Sequence, residues 1–403
     1  MKNFIPIILL ITLVSCSSVT WVTSVGPSIE SVDMMLEEEF YSGETWSYEL
    51  KRPDNFQLPS TLRPCCAFGT DHKIQFGLLP IPLVKMSNTV SLKDIGAHSY
   101  DSSAFTVSSY QSSNGKQTEN NGLIYTEKGG LLDTAHIRDT ADLTLALFYE
   151  FYENLGKDKV IHLRRELGPS QIHLKAFDVS KFSNRERWFL SSALAARKAY
   201  QMAVAHEIAQ WHGYRSIEFF NETVSAYSPE DLYSNLLGAK ISSTLINKKL
   251  SLSSFSYNKY MTIWLEKTIE VLDPVSKEDT NLLLLSVDGV MWDSSRRLPS
   301  KELLIKRNYN ISDTQNPLIF PAQITTKKPQ TIKLAKFLYG LDLDKIALYS
   351  FEVDARFQKN FSHIPKRIWK NGIKSTDFSK IAKLDQIEDK KFFHALNLKE
   401  QEY

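Results

Sequence analysis

The sequence predicts an α+β protein, a central helical group with peripheral short β-strands. Three observations carry this. Long stretches in the middle of the 403-residue chain repeat apolar side chains at helical spacing. Short apolar runs bounded by Gly, Pro or Ser lie on both sides of them. No internal repeat interrupts the alternation, which leaves helices and small sheets built around shared cores.

The elements follow in order. Residues 28–41 hold Met34, Met35, Leu36 and the acidic run Glu37 to Glu39, a short helix. Residues 63–98 are rich in Pro and Gly and read as strands and turns. Residues 99–121 are rich in Ser, Asn and Gln and predict an exposed loop or lid. Ala141, Leu145, Phe148, Tyr149 and Tyr152 predict a helix over 138–155, with Gly156 in the C-terminal capping position. Residues 159–163 and 171–177 read as strands. The Ala-rich stretch 184–212, closed by Gly213, is a helix. Ser228, Pro229, Glu230 and Asp231 predict the start of a helix over 229–247, with Ser as cap, Pro in the first position and acids in the first turn. Residues 255–272 are helical too. Beyond 273, LLLLSVDGVMW, ELLIKRNYNI, QTIKLAKFL and KIALYSFEVD read as short β segments or helix–strand alternations. Residues 364–403 predict a polar, Lys-rich, loosely docked tail.

The N-terminus reads MKNFIPIILLITLVSCSS. Lys2 leads an apolar run that is the length of a signal peptide and too short to span a bilayer. Leu13-Val14-Ser15-Cys16 resembles the bacterial lipobox, which is cut before the Cys. The resemblance implies that acylated Cys16 becomes the anchor of the mature chain in a membrane. Ser17, where an Asp would favour inner-membrane retention, points to the periplasmic face of the outer membrane. The expected organisation is a signal peptide over 1–15, a lipid-anchored tether and extension over 16–60, a main α+β domain over 61–315 and a C-terminal extension over 316–403.

Composition excludes several classes. A net charge of +2, with no basic aromatic platform, gives no reason to expect nucleic acid as a partner. There is no Walker loop, no dinucleotide fingerprint, no nucleophile elbow and no CxxC pair. Cys65 and Cys66 are adjacent, about 3.8 Å apart at Cα and so below the usual disulfide range.

Four constellations carry candidate chemistry. In GGLLDTAHIRDTAD (129–142), His136 and Asp139 are three apart on one helical face, suited to a metal or to an oriented base. Asp133 and Thr134 read as helix caps. In HEIAQWH (206–212), a zincin would need His at i and i+4, but that position is Gln210, and His212 lies about 600° round the helix from His206. Glu207 survives as a single ligand or general base. Glu230 and Asp231, with Asn235 one turn on from Asp231, are a third carboxylate site, although capping also explains both. Cys65 or Cys66, with His72 and His98 along the chain, offers a thiol nucleophile.

The phrases RPCCAFG (63–69), GLIYTEKGGLLDTAHIRDTADLT (122–144), AYSPEDLYSNLLGAKI (226–241) and VDGVMWDSSRRLPSKELLIKRNYNI (287–311) together resemble a family of uncharacterised bacterial lipoproteins, the domain of unknown function 4056. The resemblance implies an envelope lipoprotein and no particular reaction. The expectation is therefore an envelope hydrolase, either metal-dependent on His136, Asp139, Glu207 and Asp231, with Zn²⁺ suited to such donors, or thiol-dependent on Cys65 or Cys66 with His136 as base. The rival expectation is a non-enzymatic binding or scaffold lipoprotein of the outer membrane.

Overall fold

In the computed structural model, residues 26–42, 56–64, 67–76, 79–102, 119–216, 220–322 and 326–401 are described. Cys16, Cys65 and Cys66 lie outside them, as do residues 103–118 of the Ser-rich stretch. In chain order the elements are α1 (Ile29–Glu37), β1 (His72–Phe76), β2 (Leu79–Met86), β3 (Leu123–Thr126), β4 (Gly130–Asp133), α2 (Thr134–Asn154), β5 (Lys159–Leu163), β6 (Ser170–Leu174) and α3 (Asn184–Trp211). There follow α4 (Asp231–Asn247), α5 (Ser254–Val271), α6 (Lys277–Ser286), two-residue strands β7 to β10 between 314 and 342, α7 (Leu343–Ile346), β11 (Ala347–Phe351), α8 (Lys366–Trp369), β12 (Ile373–Lys374) and α9 (Phe378–Gln401). This is an α+β architecture.

The centre is the group α2, α3 and α4, which pack chiefly on one another. Every residue of α4 is buried, so this helix is enclosed on all sides rather than amphipathic. Gly238 permits the closest crossing, because a Cβ there would lie 2.0 Å from the Ile137 carbonyl oxygen of α2. Local chemistry sets the helix ends. Ser183 and Glu186 form a capping box on α3, and Gly156 follows α2 in the left-handed conformation at φ +82°. The hairpin β3–β4 feeds directly into α2. Its turn needs Gly130, at φ +65°, where a Cβ would meet the Leu318 backbone at 2.3 Å.

The main sheet is antiparallel, in the order β12-β11-β6-β5. Its β11 comes from the 316–403 region and lies against β6 over five residue pairs, Ala347↔Leu174 to Phe351↔Ser170.

Four local expectations change. The apolar run 282–285 belongs to helix α6, begun by the Ser276 cap, and not to a strand. Helix α4 starts at Asp231, not 229, because Ser228 turns its hydroxyl to Glu230 Oε2 at 2.8 Å instead of capping the helix. The 364–403 tail is firmly docked over its first half. Phe378, Ile381, Ala382 and Asp385 of α9 are buried, with α9 against α3, and the Lys side chains occupy the opposite face. The far end of the Ser-rich stretch also turns inward at Glu119 and Asn121.

Candidate functional site

The β4–α2 junction places Asp133 at the start of α2. Its Oδ1 accepts from the Ala135 N–H at 2.7 Å, an N-cap bond. Its Oδ2 stands 3.8 Å from His136 Nε2, one turn on. Across the α2–α4 contact that Gly238 allows, Asp231 Oδ1 stands 3.5 Å from the same nitrogen. One ligand atom from each of Asp133, His136 and Asp231 can be chosen so that all lie within 4.8 Å of one another. Glu207, from α3, lies beside Asp231 and accepts from the Tyr227 N–H at 2.7 Å. Glu230 completes the acidic set from the residue preceding α4. All four carboxylates are fully buried, and the His136 side chain is about one-tenth exposed.

This is a costly arrangement without a cation. Among the described residues no aligned donor serves Asp231 Oδ1 or Oδ2, Glu207 Oε1 or Glu230 Oε1 in the ionised state, although Glu207 and Asp231 are close enough to share a proton. Burial raises Glu207 to about 7, against the favourable charge of His206 and the Tyr227 N–H. Burial likewise raises Glu230 to about 8, and burial with the crowding of Glu207, Glu230 and Asp133 drives Asp231 well above the usual carboxylate range. His136 moves the other way. Burial, then the charge of His206, lowers it to about 3, so its imidazole is neutral at physiological pH. A neutral imidazole facing several buried carboxylate oxygens is the donor set of a divalent cation.

Asn235 governs the imidazole. Its Oδ1 accepts from Thr140 Oγ1 at 2.5 Å and its Nδ2 donates to the Asp231 carbonyl at 2.8 Å, which orients the amide. The same Nδ2 lies 3.1 Å from His136 Nδ1, which leaves the imidazole proton on Nε2. Coordination through Nε2 displaces that proton onto Nδ1 and requires Asn235 to release its contact. His206, adjacent to Glu207 on α3, is at the outer edge. Burial alone would lower it, but Glu166 at 2.9 Å holds it up to about 9, as a cation. Arg164 pairs with the same Glu166 at 2.7 Å.

The structure thus brings together His136, Asp231 and Glu207, drawn from three helices. It places Asp139 in a different assembly. Arg63 donates from its backbone N–H and from Nη1 to Asp139, at 3.0 and 2.8 Å, and also pairs with Glu119 and Asp142 at 2.6 and 3.0 Å. Burial raises Asp139 to about 6 in spite of Arg63. His98 lies in this network between Asp142 and Glu119, and His72 faces the Ala67 carbonyl at 3.1 Å. The thiol candidates Cys65 and Cys66 lie outside the described residues. Asp133 reads from the sequence only as a helix cap, and Glu230 as a candidate that capping already explains. For Asp133 the signal was available, because Asp133 and His136 have the i, i+3 spacing that a cap does not need.

A family model described as "Protein of unknown function (DUF4056)" matches residues 53–321, which include all five residues of the acidic cluster. No curated protein and no solved structure matches the chain. Two-thirds of the sequence is spanned by that one match, and the chain belongs to the DUF4056 family.

Proposed function

We propose that this chain is a lipid-anchored envelope protein whose Asp133, His136 and Asp231 hold a divalent cation, zinc by donor chemistry, to hydrolyse envelope material. The supporting observation is the pair of buried Asp231 oxygens, served by no aligned donor in the ionised state, beside a neutral imidazole. A cation bound there supplies a Lewis acid and an acidified water. Glu207, titrating near 7, is suited to take a proton beside it. The His206 cation at the outer edge favours negative charge developing on a substrate. The substrate class, peptidoglycan, peptide or lipid, follows from the location that the Cys16 motif implies. Among the described residues no helix is long and apolar enough to cross a membrane, so attachment by such a helix has no support there.

Elemental analysis of the purified protein tests the centre. His136→Ala and Asp231→Asn each remove one zinc equivalent while the circular dichroism of the fold is kept. A wild-type protein that takes up no zinc contradicts the proposal. Cys16→Ser moves the protein from the membrane to the soluble fraction, and unchanged membrane association contradicts the anchor. Hydrolysis is read as fragments released from purified sacculi or fatty acid from phospholipid vesicles, lost on chelation and restored by zinc. A second reading, a non-enzymatic binding or scaffold lipoprotein, is favoured by the complete burial of the four carboxylates. Under it, chelation lowers the melting temperature and no substrate is consumed.

A further inference from the structure

A second cluster lies where the C-terminal region meets α3. His212 follows the last residue of α3, and Asn360 grips it from both sides. The Asn360 carbonyl is 3.0 Å from His212 Nδ1, and Asn360 Nδ2 donates to the His212 carbonyl at 2.6 Å. The first contact places a proton on Nδ1. In the neutral ring this leaves the lone pair on Nε2, the arrangement usual in metal-ligating histidines. That Nε2 is fully buried. It stands 3.2 Å from Asp385 Oδ1 without hydrogen-bond alignment, and no donor or acceptor among the described residues satisfies it. His363 Nε2 lies 2.7 Å from the same Asp385 oxygen. The other oxygen, Oδ2, is already taken, because the Tyr227 hydroxyl donates to it at 2.9 Å.

The rings are set as a unit. His212 and His363 are parallel within 7°, with centroids 5.5 Å apart, and Phe361 stacks on His212 at 3.7 Å. A bond from His363 Nε2–H to Asp385 accounts for His363. It leaves His212 Nε2 only the unaligned 3.2 Å approach to the same oxygen. A metal accounts for both histidines and for the single oxygen that they share. Donors around a tetrahedral zinc ion, each about 2.0–2.1 Å from it, lie about 3.4 Å from one another. The observed 3.2 and 2.7 Å need only small outward shifts to match.

We propose that His212, His363 and Asp385 form a second zinc site, with water in the fourth position on the side where His363 reaches solvent. The site joins the end of α3, the 361–364 segment and α9. Two of its three ligands lie beyond residue 321, where the family match ends. The ion fastens the C-terminal region to the helical centre. It is independent of the cation on His136, although α3 and Tyr227 touch both places. The Tyr227 N–H holds Glu207, and its hydroxyl holds Asp385.

The test is zinc stoichiometry and thermal melting of the full chain in a His136→Ala background, with Asp231→Asn as the background if the first does not fold. The background protein keeps one zinc equivalent, and adding His363→Ala or Asp385→Asn removes it. Chelation lowers the melting temperature of the background protein and leaves that of the His363→Ala double variant unchanged. Cobalt in place of zinc gives the intense visible bands of a tetrahedral ion, and these disappear with His363→Ala. A background protein that takes up neither zinc nor cobalt, or one whose ion survives both second-site substitutions, overturns the proposal. A wild-type protein with a single ion, lost with His363→Ala and kept with His136→Ala, upholds this site and refutes the first.

Discussion

Asp139 and His136, three residues apart on one helix, have separate duties. His136 faces the carboxylates of α4 and α3, while Asp139 anchors Arg63 and hence the segment that leads to Cys65. Removing Asp139 leaves a buried guanidinium short of one partner, although Glu119 and Asp142 stay bound to it. Asp139→Ala should therefore destabilise the chain by about 3 kcal/mol, the lower end for breaking a buried ion pair. It should leave the zinc bound at His136 unchanged. Denaturant unfolding and elemental analysis on the same variant check both halves. Loss of zinc from a folded Asp139→Asn protein would show that the two assemblies are not separate. Sequence spacing alone gave Asp139 the same standing as Asp231, because a shared helical face says nothing about what the face meets. The partner of Asp139 lies 76 residues away, in Arg63.

At the scale of elements, the close approach of α2 and α4 builds the centre, and Gly238 makes that approach possible. A methyl group at 238 would collide with the Ile137 carbonyl, a backbone atom that cannot rotate away. Gly238→Ala should cost about 1–3 kcal/mol through overpacking. By parting α2 from α4 it should also weaken zinc binding, seen in a competitive chelator titration. Unchanged affinity would show that the helices absorb the methyl group elsewhere. The helices themselves were legible in the sequence. The extents of α3 and α5, and the end of α2, follow from periodicity and from terminal residues such as Gly156 and Gly213, which act locally. The start of α4 differs because the Ser228 hydroxyl donates to Glu230 and accepts no N–H of the first turn. The docking of α9 is masked in the sequence because exposed lysines such as Lys380 and Lys383 interleave with the buried Phe378, Ile381, Ala382 and Asp385. Asp133 is hidden, and Glu230 discounted, because a helix N-terminus favours acids whether or not they serve another purpose.

The whole molecule registers these buried acids as a dependence on pH. Burial raises Glu207 and Glu230 to about 7 and 8 in the folded chain from an ordinary 4.5, and Asp139 to about 6 from 3.8. Between those values the folded state keeps protons that the unfolded chain has released, so the stability of metal-free protein falls as pH rises through this window. Above about pH 7 the buried Lys240 acts in the opposite sense, because burial lowers it to about 7 from 10.5. Below about pH 6.5 the buried His136 and His72, lowered by burial to about 3 and 4 from 6.5, also offset the slope, so the informative window is about pH 6 to 7. Chelated protein should melt several degrees lower at the upper end, and zinc should flatten the slope by replacing the protons of the acidic cluster. An equal slope with and without zinc would detach the cation from these carboxylates. The reach of β11 back to β6 has a different consequence, one for manufacture. The third strand of the sheet leaves the ribosome long after the second, so β6 waits with an open edge while three long helices are made. Nascent chains halted in that interval carry an unsealed seam, and products of premature stops between 175 and 346 are the ones expected to stick to each other as inclusion bodies.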